Sequence, residues 1–188
     1  MIAPYLISTN HQRILRFFLF HPDSAFYERE ISRRADISPS STNCALNQLY
    51  RAGLLHRRRS GRMCFYSLDK SNPYLKQFKI LCNLLAIEPL VELLKPHSHK
   101  AAVFGSWADG SDAEGSDIDI FVVTSDKEKV LSIIDKFSYS AKVEGRKIQP
   151  IIKHPRELLK PTSTDTVFLE EVEHGRILWE KEIREHIL

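Results

Sequence analysis

Two carboxylates with a spacing of one residue could do chemistry in this sequence. Asp117 and Asp119 stand in the run SDIDIFVV, which starts at Ser116 and has the apolar content of a buried strand. Side chains alternate along a strand, so both carboxylates are expected on one face. Such a pair is costly unless a cation neutralises it, and hard oxygen ligands suit Mg²⁺ or Mn²⁺ carrying nucleotide phosphates. The spacing therefore predicts a metal site at the start of this strand.

A Gly-Ser pair precedes the carboxylates and could hold the phosphates. Gly105 and Ser106 follow an apolar stretch at residues 101–104, which is a candidate for a short buried strand. Glycine permits close backbone approach, and a serine hydroxyl with the following amides at a helix start can hold phosphate oxygens. Ser116 is placed with them as a third nucleotide-binding residue. A metal ion bridging the phosphates would orient the triphosphate for in-line attack on its α-phosphorus.

The string VFGSWADGSDAEGSDIDIFVV resembles the Gly-Ser and Asp-x-Asp signature of the DNA polymerase beta-type nucleotidyltransferases, in particular their minimal one-domain members. The resemblance covers about residues 98–155. It implies that Gly105 and Ser106 hold the triphosphate, and that Asp117 and Asp119 bind metal and are the catalytic residues. The alternative is an acidic strand end with no ligand.

Two positions depart from the family pattern. Asp109 stands where the family often has Arg or Lys, so a phosphate-facing charge is missing or reversed. A third carboxylate normally comes from a later strand, predicted here at residues 146–152, and its place is taken by Gln149. An amide cannot take the proton of an acceptor. Glu144 is close in sequence but would face away unless Gly145 makes a bulge. Nucleotide and metal binding are therefore better supported than catalysis.

The rest of the second half predicts a small mixed sheet with flanking helices. Residues 127–137 have a helical apolar pattern, and residues 156–160 and 164–174 are predicted as short helices. Residues 175–179 are predicted as a terminal strand or loop. The predicted nucleotidyltransferase-like domain spans residues 97–188.

Charge divides the chain into unlike halves. Residues 1–95 have 14 Lys and Arg against 7 Asp and Glu, a net charge of +7, and residues 96–188 have 13 against 17, a net charge of −4. Only the first half is expected to be attracted to a polyanion.

Three helices are predicted in the basic half. The first spans residues 10–20 and the second residues 27–35, followed by a short turn at residues 36–38. The third begins after an N-cap at Ser38 and ends at Gly53. Its polar residues can approach base edges and phosphates; they are Ser40, Ser41, Thr42, Asn43 and Asn47.

A β-hairpin with arginines around its turn is predicted next. The turn is placed at Ser60-Gly61, and the arginines are Arg57, Arg58, Arg59 and Arg62. Such a hairpin can reach a minor groove or a phosphate backbone. Residues 9–70 resemble the winged helix-turn-helix of ArsR and MarR-type regulators, which implies sequence-specific binding of double-stranded DNA, often by a homodimer. The alternative is a protein-interaction or dimerisation module.

The predicted fold is thus α+β, with a winged helix-turn-helix at residues 1–72, a helical linker at 73–96 and the nucleotidyltransferase-like domain. Pro89 is expected to kink or divide the linker helix. Neither a signal peptide nor an apolar run long enough for a membrane is found, so a soluble cytoplasmic protein without a membrane partner is expected. The three cysteines lack a CxxC pair and are interpreted as reduced, partly buried thiols.

The favoured hypothesis is a DNA-binding protein whose second domain transfers a nucleoside monophosphate from a nucleoside triphosphate to an unidentified acceptor, for which a protein is one candidate. A second hypothesis is a transcription regulator whose nucleotidyltransferase-like domain is catalytically degenerate and senses nucleotide or mediates contacts. A third treats the first domain as a protein or tRNA adaptor.

Overall fold

The structure is a computed structural model that describes residues 2–138, 143, 145–158, 172 and 174–181. The chain divides into two compact units, Met1–Cys82 and Asn83–Leu188. The division lies inside one long helix, α5, which runs from Pro73 to Leu94. Pro89 lies inside this helix and does not divide it, contrary to one of the two outcomes expected for that position. The predicted linker at residues 73–96 is therefore shared by both units.

Helices and a small sheet alternate in the first unit. In chain order its elements are α1 (Ala3–Leu6), α2 (Asn10–Phe20), β1 (Phe26–Tyr27), α3 (Glu28–Arg34), α4 (Pro39–Arg51), β2 (Leu55–Ser60) and β3 (Met63–Leu68). The strands are antiparallel in the order β1-β3-β2. The helix predicted at residues 10–20 is confirmed, and Thr9 begins it with a capping box made with Gln12.

Local signals explain the path from α3 to β2. Asp36 adopts a left-handed φ of +53° between α3 and α4, and the Arg13 guanidinium donates to its carbonyl oxygen at 2.9 Å. The hydroxyl of Ser38 accepts from the Ser41 amide at the start of α4. Gly53 ends α4 with a φ of +70°, and its amide donates to the Tyr50 carbonyl. The predicted cap and stop of this helix are confirmed.

The hairpin turn lies one residue later than predicted. Ser60 pairs with Met63, so the two turn residues are Gly61 and Arg62. Gly61 has a φ of +59°, which suits the first position of a type II′ turn. The prediction centred the turn on the Ser-Gly pair, whereas the positive φ needed at Gly61 places that glycine first within it.

A mixed sheet forms the centre of the second unit. Its elements are β4 (Lys100–Phe104), α6 (Gly105–Asp109), β5 (Ile118–Val123), α7 (Lys127–Ser138), β6 (Ile148–Lys153), α8 (Pro155–Leu158) and β7 (Arg176–Glu180). The strand order is β6-β5-β4-β7. β5 and β6 are parallel, whereas β4 is antiparallel to both β5 and β7. The predicted mixed α+β architecture is confirmed for this unit.

The two central strands of this sheet, β4 and β5, are buried on both faces. One face contributes a buried cluster of Ala102, Phe104, Phe121, Val123 and Val172. The helix α7 links the two parallel strands and buries Val130, Ile134 and Phe137. The segment at residues 175–179, predicted as strand or loop, forms strand β7. The helix predicted at residues 164–174 lies almost entirely outside the described residues.

Two other expectations concern cysteines and membranes. Cys82 is buried, and burial raises the pKa of its thiol to about 12. Cys44 is exposed, which corrects the expectation that it is partly buried, because its position on α4 faces away from the core. In the part of the chain that the structure describes, no helix is long and apolar enough to cross a membrane.

Candidate nucleotide site and candidate nucleic-acid surface

The antiparallel pairing of β4 and β5 brings the Gly-Ser pair next to Asp119. Phe104, the last residue of β4, pairs with Asp119 of β5. Gly105 follows directly, so the backbone turns into α6 beside the Asp119 side chain. Residues separated in sequence thereby meet at one edge of the sheet.

Gly105 lies close to the Asp119 carboxylate. Its φ is +65°, and a Cβ added to it would lie 2.9 Å from Oδ2 of Asp119. A side chain at this position would meet both a strained backbone and a carboxylate oxygen. Glycine is therefore required for Asp119 to lie against the turn.

Ser106 offers a hydroxyl at the same turn. The residue is half-buried, and its hydroxyl has no hydrogen-bond partner among the described residues. Its carbonyl oxygen accepts from the amides of Ser111 at 3.1 Å and Asp112 at 3.3 Å, which fixes the turn. The side chain is available to a ligand while the backbone is held.

An amide stands where a third carboxylate would be expected. Gln149 of β6 pairs with Asp119 of β5 in the parallel register. Its Nε2 donates to Oδ2 of Asp117 at 3.2 Å. The prediction that Gln149 occupies this place agrees with the strand register. Glu144 lies outside the described residues, so its expected orientation has no structural counterpart here.

The donor set fits a magnesium ion carried by a nucleotide. Asp117 and Asp119 are half-buried and supply hard oxygen ligands. Mg²⁺ commonly uses one or two carboxylates together with substrate phosphates and water. Within the described ranges, no group of three or more His, Cys, Asp or Glu residues could hold a metal ion. Two carboxylates of the described residues are thus available as ligands, as in sites where Mg²⁺ also binds substrate phosphates.

A buried ion pair holds the loop between the Gly-Ser pair and the carboxylates. NH1 of Arg146 lies 3.2 Å from Oδ2 of Asp112, and the two side chains are 3% and 0% exposed. The same NH1 donates to the carbonyl oxygens of Ala113 at 2.7 Å and Ser116 at 3.3 Å. These carbonyls lie on either side of the loop tip, directly before Asp117. Arg146 therefore fixes the chain that delivers the first carboxylate.

Further buried groups complete this network. Nδ2 of Asn83 donates to Oδ1 of Asp112 at 2.8 Å and to the Trp107 carbonyl at 3.0 Å. The Trp107 indole donates to the Asn83 carbonyl at 3.2 Å, and the Arg146 guanidinium lies over its ring at 4.8 Å. Sequence reasoning missed this network because its members are far apart in the chain. An Asn inside the apolar pattern of α5 was the available signal, since a buried amide requires partners.

Two sequence-predicted positions have local roles. Asp109 is exposed and its carboxylate accepts from the Ser111 amide at 2.8 Å, so it stabilises the turn after α6. The Ser116 hydroxyl accepts from the Ala113 amide at 2.9 Å. Its assignment to the nucleotide stays a prediction, because this hydroxyl already holds the loop.

In the first unit, the polar residues predicted for DNA differ in accessibility. Ser40 and Asn43 are exposed, while Ser41 and Asn47 are half-buried. Thr42 is 0% exposed, so the prediction that its side chain contacts DNA is corrected. The correction follows from helix periodicity, because Thr42 lies on the same face of α4 as the buried Ala45, Leu46 and Leu49.

The four arginines of the hairpin lie in different surroundings. Arg57 donates to Oδ1 of Asn47 at 3.0 Å, and Arg58 lies 6.0 Å from the centre of the Phe65 ring. Arg59 donates to the Gly61 carbonyl at 3.3 Å. Arg62 is exposed at the turn. All four are exposed residues, so they form a basic surface on the hairpin.

The mixed sheet, the Gly-Ser turn and the paired carboxylates define a domain of the nucleotidyltransferase class. The family model described as polymerase beta, nucleotidyltransferase matches residues 88–184. The chain belongs to this family. No curated protein matches the chain.

Several solved structures are similar to parts of the chain. A toxin-antitoxin structure with AMP-PNP has 22% identity and a TM-score of 0.38, covering 53% of this chain and 75% of that chain. A protein from Sulfolobus solfataricus assigned as a nucleotidyltransferase has 22% identity and a TM-score of 0.34, covering 58% and 91%. NadR in complex with 4-hydroxyphenylacetate has 17% identity and a TM-score of 0.39, covering 76% and 80%.

Replacing Gly105 with alanine is expected to weaken Mg²⁺-dependent nucleotide binding by about tenfold or more, because the new Cβ displaces the Asp119 carboxylate. Gly115→Ala is the matched control. Gly115 also has a positive φ, +84°, but an added Cβ would meet no atom within 4 Å. Both variants should lose about 1–2 kcal/mol of stability to backbone strain. Titration calorimetry with nucleoside triphosphate and Mg²⁺ compares them, and equal affinities would contradict the role assigned to Gly105.

Proposed function

We propose that residues 83–188 form a metal-dependent nucleotidyltransferase domain that moves a nucleoside monophosphate from a nucleoside triphosphate to an acceptor. The observation that supports this most strongly is the approach of Gly105 to Asp119, where a Cβ would lie 2.9 Å from Oδ2. A glycine turn set directly against a strand carboxylate has no evident need in a sheet that only packs. It suits a site where phosphates and a metal ion share a small space.

Each residue at the edge has a distinct role in this proposal. Asp117 and Asp119 hold the metal ion, and Ser106 donates its hydroxyl to a phosphate oxygen. When bound, the metal ion supplies positive charge against the triphosphate and its leaving pyrophosphate. Gly105 leaves room for the triphosphate beside the carboxylates. Arg146 and Asp112 keep the loop before Asp117 in place through their buried ion pair.

A second candidate function is supported by Gln149. Its amide donates to Asp117 and cannot accept a proton from an acceptor hydroxyl. A site with this change would bind nucleotide and metal but transfer slowly or not at all. The second candidate is therefore a regulator whose nucleotidyltransferase domain senses nucleotide or mediates protein contacts.

Gln149→Asp separates these candidates. A general base contributes about 10²–10⁴-fold to rate, so the variant is expected to release pyrophosphate from nucleoside triphosphate at least about tenfold faster than the wild type. Water serves as the acceptor, and a coupled pyrophosphate assay measures the rate. Gln149→Asn is the matched control, because it has the size of aspartate but no basic carboxylate.

Wild-type activity decides which function stands. If the wild-type protein releases pyrophosphate faster than an Asp117→Asn/Asp119→Asn variant does, the result supports the transferase. Wild-type release at that background, together with a gain in Gln149→Asp, supports the nucleotide sensor. No release by either protein under conditions where Mg²⁺ and nucleotide bind would contradict the transferase proposal.

We infer that the first unit is a winged helix-turn-helix that binds double-stranded DNA. The order of α3, a three-residue turn, α4 and the β2–β3 hairpin supports this, with α4 in the place of a recognition helix and the hairpin in that of a wing. The exposed polar residues of α4 and the arginines of the hairpin add a suitable surface. A homodimer on DNA is the expected assembly. DNA affinity that falls steeply with salt would support the proposal, whereas salt-independent binding would favour a protein or tRNA adaptor.

A further inference from the structure

Three of the residues predicted to contact DNA are bonded to one another on the surface of the first unit. Nδ2 of Asn47 donates to the carbonyl oxygen of Asn43 at 2.9 Å and to its Oδ1 at 3.1 Å. NH1 of Arg57 donates to Oδ1 of Asn47 at 3.0 Å. A series of side-chain hydrogen bonds therefore runs along α4 and crosses to strand β2.

Further contacts hold both ends of this series of hydrogen bonds. At one end, Nδ2 of Asn43 donates to Oε2 of Glu28 at 2.8 Å, and Glu28 is the first residue of α3. At the other end, the Arg57 guanidinium lies over the Tyr50 ring at 4.3 Å from its centre. Tyr50 follows Asn47 by three residues on the same face of α4. These contacts thus connect α3, α4 and the hairpin through side chains.

Arg57 also has a neighbour on the other strand of the hairpin. It is directly opposite Tyr66 in the strand pairing, and Tyr66 is 2% exposed. Burial raises the pKa of the Tyr66 hydroxyl, and a side-chain hydrogen bond with Arg57 partly offsets this shift. Two contacts within this unit thus hold Arg57, the hydrogen bond to Asn47 and the stacking on Tyr50.

The other arginines of the hairpin are less constrained. Arg62 is exposed at the turn and has no hydrogen bond or ion pair among the described residues. A long cationic side chain without partners can follow a phosphate backbone, whereas one held by an amide and an aromatic ring must leave them to do so. Arg62 is therefore suited to contact a phosphate, whereas Arg57 is suited to hold the hairpin against α4.

We propose that Glu28, Asn43, Asn47, Tyr50 and Arg57 form a clamp that sets the position of the hairpin relative to α4, and that Arg57 is a positioning residue for duplex DNA and not a phosphate contact. The proposal rests on the inferred DNA-binding function. Duplex DNA would meet α4 and the hairpin together, so their spacing decides whether both can bind at once. The clamp fixes this spacing before DNA arrives, which reduces the ordering needed on binding.

Charge-conserving variants test the clamp in the full chain. Lysine keeps the charge but cannot reproduce the planar stacked and hydrogen-bonded arrangement of arginine. Arg57→Lys is expected to weaken binding of a mixed-sequence DNA duplex by about tenfold, with the slope of log affinity against log salt unchanged. Arg62→Lys should bind as the wild type does. Arg62→Gln should reduce the slope by about 0.9, the value for one lost phosphate contact.

A double-variant cycle tests whether Arg57 acts through its hydrogen bond to Asn47. Asn47→Ala is expected to weaken binding as much as Arg57→Lys does, and the two together should cost little more than either alone, because both break the same link. Fluorescence anisotropy over a range of salt concentrations gives both affinity and slope. Wild-type affinity for Arg57→Lys, or additive losses in the double variant, would overturn the clamp. Wild-type binding that does not weaken with salt would instead overturn the DNA-binding proposal itself.

Discussion

Replacing Asp117 and Asp119 together with asparagine should remove Mg²⁺-dependent binding of nucleoside triphosphate. Asp119 lies beside Gly105, Asp117 directly precedes β5, and the double variant loses both carboxylates of the candidate metal site. Loss of residues that only support metal ligands costs about 10–100-fold in metal affinity, so loss of the ligands should cost more than about 100-fold. Titration calorimetry with and without Mg²⁺ measures the change.

The comparison needs a variant that removes a carboxylate elsewhere in the same unit. Asp135→Asn serves this purpose, because Asp135 is exposed on α7. It should bind nucleotide with wild-type affinity. DNA affinity should stay near the wild-type value in both variants, since the changes lie outside the first unit. An Asp117→Asn/Asp119→Asn protein that binds nucleotide as tightly as the wild type would rule out this metal site.

Arg146→Met is expected to lower the free energy of unfolding of the second unit by about 3–5 kcal/mol. The reason is that Asp112, whose side chain is 0% exposed, would remain as a buried charge without its ion-pair partner. The variant also loses the donor to the Ala113 and Ser116 carbonyls. Both tryptophans of the chain lie in this unit, so urea unfolding followed by tryptophan fluorescence reports on it directly.

Two further variants show whether the loss of stability in Arg146→Met comes from the buried ion pair. Arg156→Met removes an exposed arginine from α8 and should change the stability by less than about 1 kcal/mol. Arg146→Met combined with Asp112→Leu should recover part of the loss, because both buried charges are then absent. If Arg146→Met were no more destabilising than Arg156→Met, the ion pair would not hold this loop.

The elements with strong local signals could be predicted from the sequence. The helix at Asn10–Phe20 and the α4 cap at Ser38 follow from apolar spacing and capping residues. The Gly-Ser pair and the carboxylates were assigned to one site from motif and strand period; the structure pairs Phe104 with Asp119, and their role in the site stays a prediction. In these cases each residue's role depends on neighbours within one element or one pair of strands.

Features that depend on distant partners could not be predicted in this way. The buried ion pair of Asp112 and Arg146 exists only once β5 and β6 are paired. The two-residue strand β1 is too short to have a periodic pattern, and it forms because β3 offers a free edge. Thr42 was assigned to the surface because it is polar, although the period of α4 turns it inward.

The prediction that Arg57 contacts DNA stays untested, but its surroundings could not be predicted either. Its charge and its place beside other arginines suggested a phosphate contact. Its bond to Asn47 and its stacking on Tyr50 depend on how β2 packs against α4, which no local pattern contains.

Calorimetric titration of the wild-type protein with each of the four ribonucleoside triphosphates, with and without Mg²⁺, tests the metal-dependent nucleotide site most directly. The structure leads us to expect at least one triphosphate to bind when Mg²⁺ is present and to bind far more weakly when it is absent, because Mg²⁺ would offset the repulsion between the phosphates and the carboxylates of Asp117 and Asp119. Binding that is unaffected by Mg²⁺, or no binding by a folded protein that still holds DNA, would contradict the proposed site.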